Sequence, residues 1–127
     1  MGGSMEAVER RQHRRLPLDV PLTLVSAGSA ESIRGRLRDI SQGGCFFSAQ
    51  SGVRREGRIT IDFVVLPRAI CNATGRVVRD AGSDGFGVEF GAVNDAFLKF
   101  VSRLESATSR EREEVLSRIL DPEIHLA

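Results

Sequence analysis

Six short apolar runs, at 22–25, 33–40, 45–47, 58–65, 69–79 and 86–90, recur about every ten residues and are separated by Gly, Pro, Ser and Asp. Runs this short, with turn residues between them, predict β-strands, and consecutive strands joined by tight turns predict an antiparallel barrel. In the second run Ile33, Gly35 and Leu37 share one parity and Arg34, Arg36 and Arg38 the other, which predicts a strand with an arginine face. The alternation fails at its end: Asp39 inherits the apolar parity and Ile40 breaks it. A kink or bulge near Asp39 resolves the conflict and would re-aim that side chain.

Pro17 and Pro21 confine the stretch before the first run to extended backbone and an edge strand at most. In the fifth run Ile70, Asn72, Thr74, Arg76 and Val78 fall on one parity, with Cys71, Ala73, Gly75 and Val77 on the other. After residue 93 the period changes. Asn94 or Asp95 can cap a helix carrying Phe97, Phe100, Val101 and Leu104 at helical spacing. Thr108 and Glu111 form a capping-box pattern for a second helical run with Val115, Leu116, Ile119 and Leu120, stopped by Pro122. That apolar stripe either covers the barrel or forms a homo-oligomer contact; its period does not separate the two.

Composition limits the function classes. No apolar run approaches the roughly 18 residues that a spanning helix needs, so membrane insertion is not expected. The 18 basic residues include a single lysine, Lys99. The basic charge is concentrated before residue 80 and the acidic charge after it, although the chain as a whole carries only +1. That distribution suggests a local anion site, not a general DNA surface. Cys45 and Cys71 have no secretory segment before them, which predicts reduced structural thiols and a cytoplasmic location. Two Cys with the distant His13 and His125 fit no zinc spacing, and no general base with a poised partner is apparent, so neither a metal site nor catalysis is expected. Residues 1–4, Met-Gly-Gly-Ser, look like an expression remnant with Met5 as the natural start.

Two clusters can carry chemistry. One is the stretch 9–15, with Arg10, Arg11, Arg14 and Arg15; alone it reads as a solvated basic arm. The other is 39–44, Asp-Ile-Ser-Gln-Gly-Gly; alone it reads as a hairpin turn with Asp39 bonding to nearby backbone. Together they suit a ligand bearing both guanine and phosphate. A guanidinium can fork onto the guanine O6/N7 edge, stack on the purine face or grip a phosphate. The Asp39 carboxylate complements the guanine N1–H and N2 donors, and Ser41 can bond to ligand or turn. Gly43 and Gly44 permit positive φ and close backbone approach.

These residues resemble the signature of the PilZ domain family, bacterial receptors for cyclic di-GMP: Arg-x-x-x-Arg in an N-terminal arm, then Asp/Asn-x-Ser-x-x-Gly after one strand. Arg11 and Arg15 supply the first part, and Asp39, Ser41 and Gly44 the second. The stretches 75–79 and 85–90 are also similar to the family's closing strands. The resemblance implies a mainly β fold, a six-stranded antiparallel PilZ-type barrel followed by C-terminal helix. It divides the chain into a disordered tag or arm at 1–8, the domain at 9–106 and a helical extension at 107–127. It further implies cyclic di-GMP as ligand, though not as a catalytic cofactor, bound by Arg10, Arg11, Arg15, Asp39, Ser41, Gly43 and Gly44. Arg10 would accompany a stacked ligand pair. The arm would reorient on binding and a downstream protein would read the change. An adaptor that binds a protein partner without nucleotide is the alternative. A single-strand nucleic-acid binder is disfavoured because Trp and Tyr are absent and Phe46 and Phe47 suit a core.

Overall fold

The computed structural model describes residues 14–26, 32–49 and 57–126. The strands are β1 (Leu16–Ser26), β2 (Ser32–Ile40), β3 (Gly44–Ala49), β4 (Arg58–Val65), β5 (Ala69–Asp80), β6 (Phe86–Val93) and β7 (Ile119–Leu126). Helices α1 (Asp95–Ser106) and α2 (Ser109–Leu116) lie between β6 and β7. The strands close into a barrel in the order β1-β2-β3-β6-β5-β4-β7. Every neighbouring pair is antiparallel except β1 with β7. The six expected strands are all present and the barrel has seven.

The seventh strand replaces the second half of the expected helical extension at 107–127. The Thr108–Glu111 capping box forms, with the Thr108 amide donating to Glu111 Oε1 at 2.9 Å and the Glu111 amide to Thr108 Oγ1 at 3.2 Å. The helix it opens stops at Leu116, however, and Ile119 and Leu120 are extended. Two residues of β7, Asp121 and Pro122, stand against Phe63 alone on β4, because Leu120 pairs with Val64 and Glu123 with Asp62. A bulge is a place where a strand tolerates proline, since ladder pairing is interrupted there. Asp121 completes it with φ at 47°. Beyond the bulge Ile124 and Leu126 turn inward and are buried.

β1 shows why its prolines are acceptable. β7 pairs with β1 only over Thr23–Ser26, so Pro17 and Pro21 lie where one flank carries no partner strand and a missing N–H costs nothing on that side. The strand starts at Leu16, and Leu16, Val20, Leu22 and Leu24 point into the core. On β5, Cys71 and Ala73 are buried while Ile70, Thr74, Arg76 and Val78 are exposed, as the alternation required.

Asn94 caps α1, accepting from the Phe97 amide at 2.9 Å. It also fastens the helix to β5: the Asn72 amide donates to its Oδ1 at 3.1 Å and its Nδ2 donates to the Ile70 carbonyl at 2.8 Å. Phe97, Phe100, Val101 and Leu104 are buried, and Phe97 meets Phe90 edge-on with ring centroids 5.2 Å apart. Of the second stripe, Val115 is buried and Leu116 and Ile119 pack on the same core, while Leu120 is exposed on β7. No helix among the described residues is long and apolar enough to cross a membrane.

Two outcomes follow. Ile124 is fully buried on the strand that completes the barrel, so Ile124→Ala is expected to cost about 2–5 kcal/mol, read as a lower denaturant midpoint with an unchanged slope. Cys45 and Cys71 are free and buried; burial pushes the Cys71 thiol up to about 11, and burial together with the Asp39 charge pushes the Cys45 thiol higher still. Both are expected to stay unreactive toward a disulfide reagent at pH 8 in the folded protein and to react fully in denaturant; reaction of either in the native state would contradict this.

Candidate functional site

The broken alternation at the end of β2 is a bulge. Leu37 pairs with Phe47 and Asp39 with Phe46, which leaves Arg38 without a counterpart on β3. The extra residue lets Leu37 and Ile40 both face inward, at 3% and 0% exposure, while the Asp39 side chain keeps 24%. On the other flank Leu18 and Asp19 of β1 form the matching irregularity, between the pairs Pro17–Asp39 and Val20–Leu37. There Asp19 Oδ1 accepts from Arg36 Nε and from Arg38 Nη1, the latter at 3.3 Å. The Arg36 hydrogen bond, helped by the charges of Arg36 and Arg38, holds the Asp19 carboxyl below its usual value.

Asp39 therefore emerges on the outer surface beside Arg15, whose Nη1 lies 3.5 Å from Asp39 Oδ2. The other oxygen, Oδ1, is buried and has no hydrogen-bond partner among the described residues. Such an oxygen is an acceptor in want of a donor. Among the described residues the carboxylate is therefore asymmetric: paired on one side with a cation that is 61% exposed and unsatisfied on the other.

Ser41 is committed to the turn. Its amide donates to the Gly44 carbonyl at 2.8 Å. Its buried Oγ accepts from the amides of Gly43 and Gly44 at 3.2 and 3.1 Å and lies 3.2 Å from the Gly44 carbonyl, to which it can donate. The Phe90 amide donates to the Gly43 carbonyl at 2.9 Å. Gly44 is needed for close approach, but to the barrel itself: a Cβ there would collide with the Val88 carbonyl oxygen of β6. Positive φ is not the reason, because the described glycines with positive φ are Gly57, Gly82 and Gly85. Gln42 points away from the turn, its Nε2 3.5 Å from Ser102 Oγ and 3.4 Å from Glu105 Oε1 on α1.

Register extends the site beyond the motif. Asp39 pairs with Phe46, Phe46 with Gly87, and Gly87 with Arg79, which places these residues in one row across β2, β3, β6 and β5. Arg79 lies over the half-buried Phe46 ring, its Cζ 5.9 Å from the centroid. Phe47, the next residue, is fully buried against Phe86. The two phenylalanines are thus divided between surface and core. Phe46 and Arg79 did not emerge from the linear motifs, because only cross-strand register brings them beside Asp39.

Of the expected site residues, the fold brings together Arg15 and Asp39 and builds Ser41, Gly43 and Gly44 into one turn next to them. Arg10 and Arg11 lie outside the described residues, as does the arm's His13. Among the described residues no group of three or more His, Cys, Asp or Glu could hold a metal ion.

Comparison with curated proteins and with solved structures gives no match. The model of the PilZ domain family matches residues 9–104, the span that carries the arm, six of the seven strands, the turn and most of α1. The chain belongs to the PilZ domain family.

Proposed function

We propose that this protein is a cyclic di-GMP receptor without catalytic activity, acting in the bacterial cytoplasm by passing a change in its N-terminal arm to a protein partner. The observation that carries the reading is the Asp39 carboxylate: brought to the surface by the Arg38 bulge, paired with Arg15 through Oδ2 and, among the described residues, without a donor at its buried Oδ1. A guanine N1–H and N2 amine are donors of the kind this carboxylate lacks. The fork of Arg15 suits a purine edge or a phosphate, and Arg11 of the family motif, with Arg10 directly before it, would serve the remaining anionic groups. Phe46 beneath Arg79 adds an apolar face and a planar cation on which a base can lie. Ser41, Gly43 and Gly44 serve by fixing the turn, so their contribution to binding is to hold Asp39 in place.

A second reading, a protein adaptor indifferent to nucleotide, is favoured by one feature. Ile70, Val64 and Leu120 are successive register partners across β5, β4 and β7, and Ile70 and Leu120 are 67% and 44% exposed. A short apolar row of this kind suits a partner protein whether or not nucleotide is bound.

Calorimetric titration separates the two. The parent chain is expected to bind cyclic di-GMP with roughly micromolar affinity. Arg15→Ala and Asp39→Ala are each expected to weaken binding about tenfold or more, from ~1–3 kcal/mol per lost bidentate contact. Absence of heat with the parent at high micromolar ligand would sink the receptor reading and leave the adaptor. Ser41→Ala is expected to behave differently: it orphans two turn amides and lowers stability by about 1–3 kcal/mol, measurable by thermal unfolding without any ligand.

A further inference from the structure

The outer surface of β4 and β5 carries an arrangement that the Asp39 turn does not use. Register sets Arg58 directly opposite Arg76, and both are exposed. No carboxylate among the described residues forms an ion pair with either. Like charges directly opposite across two strands destabilise a sheet, and Glu89, opposite Arg76 on β6, offsets this repulsion from one side only. Around them lies a cleft of about 730 Å³ whose lining includes Thr60, Thr74, Glu89 and Gly91. Thr60 faces Thr74 across the same two strands, two residues further along. On the far wall Thr74 pairs with Ala92 and Gly75 with Phe90, which leaves Gly91 as a bulged residue without a register partner.

We propose that this cleft is a binding site for a phosphate-class dianion, gripped by Arg58 and Arg76 from opposite strands. The two planar forks suit tetrahedral oxyanions, and the anion converts a cross-strand repulsion into two charge-assisted contacts. The Thr60 and Thr74 hydroxyls are donors for the remaining oxygens. Glu89, the β6 partner of Arg76, bounds the site on that side and repels the anion toward Arg58. Gly44 of the turn is in turn the β3 partner of Glu89. The glutamate therefore stands between the cleft and the turn, and the two are separate anion sites. The proposal does not rest on the turn binding cyclic di-GMP.

Inorganic pyrophosphate is the probe, titrated into the full chain by calorimetry and by thermal unfolding at fixed ionic strength. The parent is expected to bind it and to unfold at a higher temperature in its presence. The double variant Arg58→Gln/Arg76→Gln is expected to lose about tenfold or more in affinity, and Arg76→Lys, which keeps the charge but not the fork, to lose less. Asp39→Ala is expected to leave pyrophosphate binding within about twofold, as distant independent sites do. The proposal is overturned if the double variant binds pyrophosphate as the parent does. It is overturned equally if sodium chloride at matched ionic strength reproduces the thermal shift, or if Asp39→Ala removes binding to the same extent.

Discussion

The surface chemistry of this domain depends on one surplus residue in β2. In an unbroken strand Leu37 would face in, Asp39 would follow it, and Ile40 would face water, because side chains alternate with a period of two. That arrangement buries a carboxylate and exposes an isoleucine, both unfavourable. With Arg38 set outside the β3 register, Leu37 and Ile40 both join the core and Asp39 meets Arg15 and Phe46 on the outside. The bulge is braced from β1, where Asp19 takes both Arg36 and Arg38. A carboxyl held low in this way is charged when folded more readily than when unfolded. Its contribution to stability is present above the unfolded carboxylate value and fades as the pH falls through the lowered one.

What the sequence revealed of the fold follows from which signals are local. The six strands were legible because each has its own alternation and its own turn residues, and the bulge was legible because the alternation failed at a named residue, Asp39. The caps at Asn94 and Thr108 were legible for the same reason: a cap is a contact over three residues. The seventh strand was not. Val115, Leu116, Ile119 and Leu120 have helical spacing, and Pro122 reads as a helix stop. What makes 119–126 a strand is the open space between β1 and β4, which wants hydrogen-bond partners and two inward side chains. That demand comes from closing the barrel and leaves no mark in the local period.

The site divides along the same line. Arg15, Asp39, Ser41 and Gly44 belong to contiguous motifs and could be found by spacing, although the reason for one of them changes. Gly44 is glycine because the β6 backbone passes too close for a side chain, which only register discloses. That Phe46 and Arg79 lie beside Asp39 was hidden, since they stand 33 positions apart in the chain and become neighbours through the pairings with Gly87. The apolar row of Ile70, half-buried Val64 and Leu120 arises likewise from three separate strands, one of them β7, whose spacing is helical.

These placements bear on how binding at the turn would be communicated. Five hydrogen bonds of 2.8–3.2 Å pin the turn to itself and to β6: those of the Ser41 amide and hydroxyl to the Gly44 carbonyl, the two amides that converge on that hydroxyl, and the Phe90 amide. Its described side-chain links to α1 are the contacts of Gln42, at 3.4 and 3.5 Å, near the limit of useful length. Under the receptor reading, a turn fixed so firmly and coupled so weakly to the helix would act as a platform, pre-organised for a ligand and not rearranged by one. Arg15 is the opposite case, with most of its side chain in water and a long ion pair to Asp39. A 3.5 Å pair whose cation is largely in water is weak, and a ligand's charge-assisted contacts can replace it. The side of the site able to move at little cost is therefore the Arg15 side. Under the receptor reading proposed above, the message would lie on the Arg15 side, while the barrel would stay fixed.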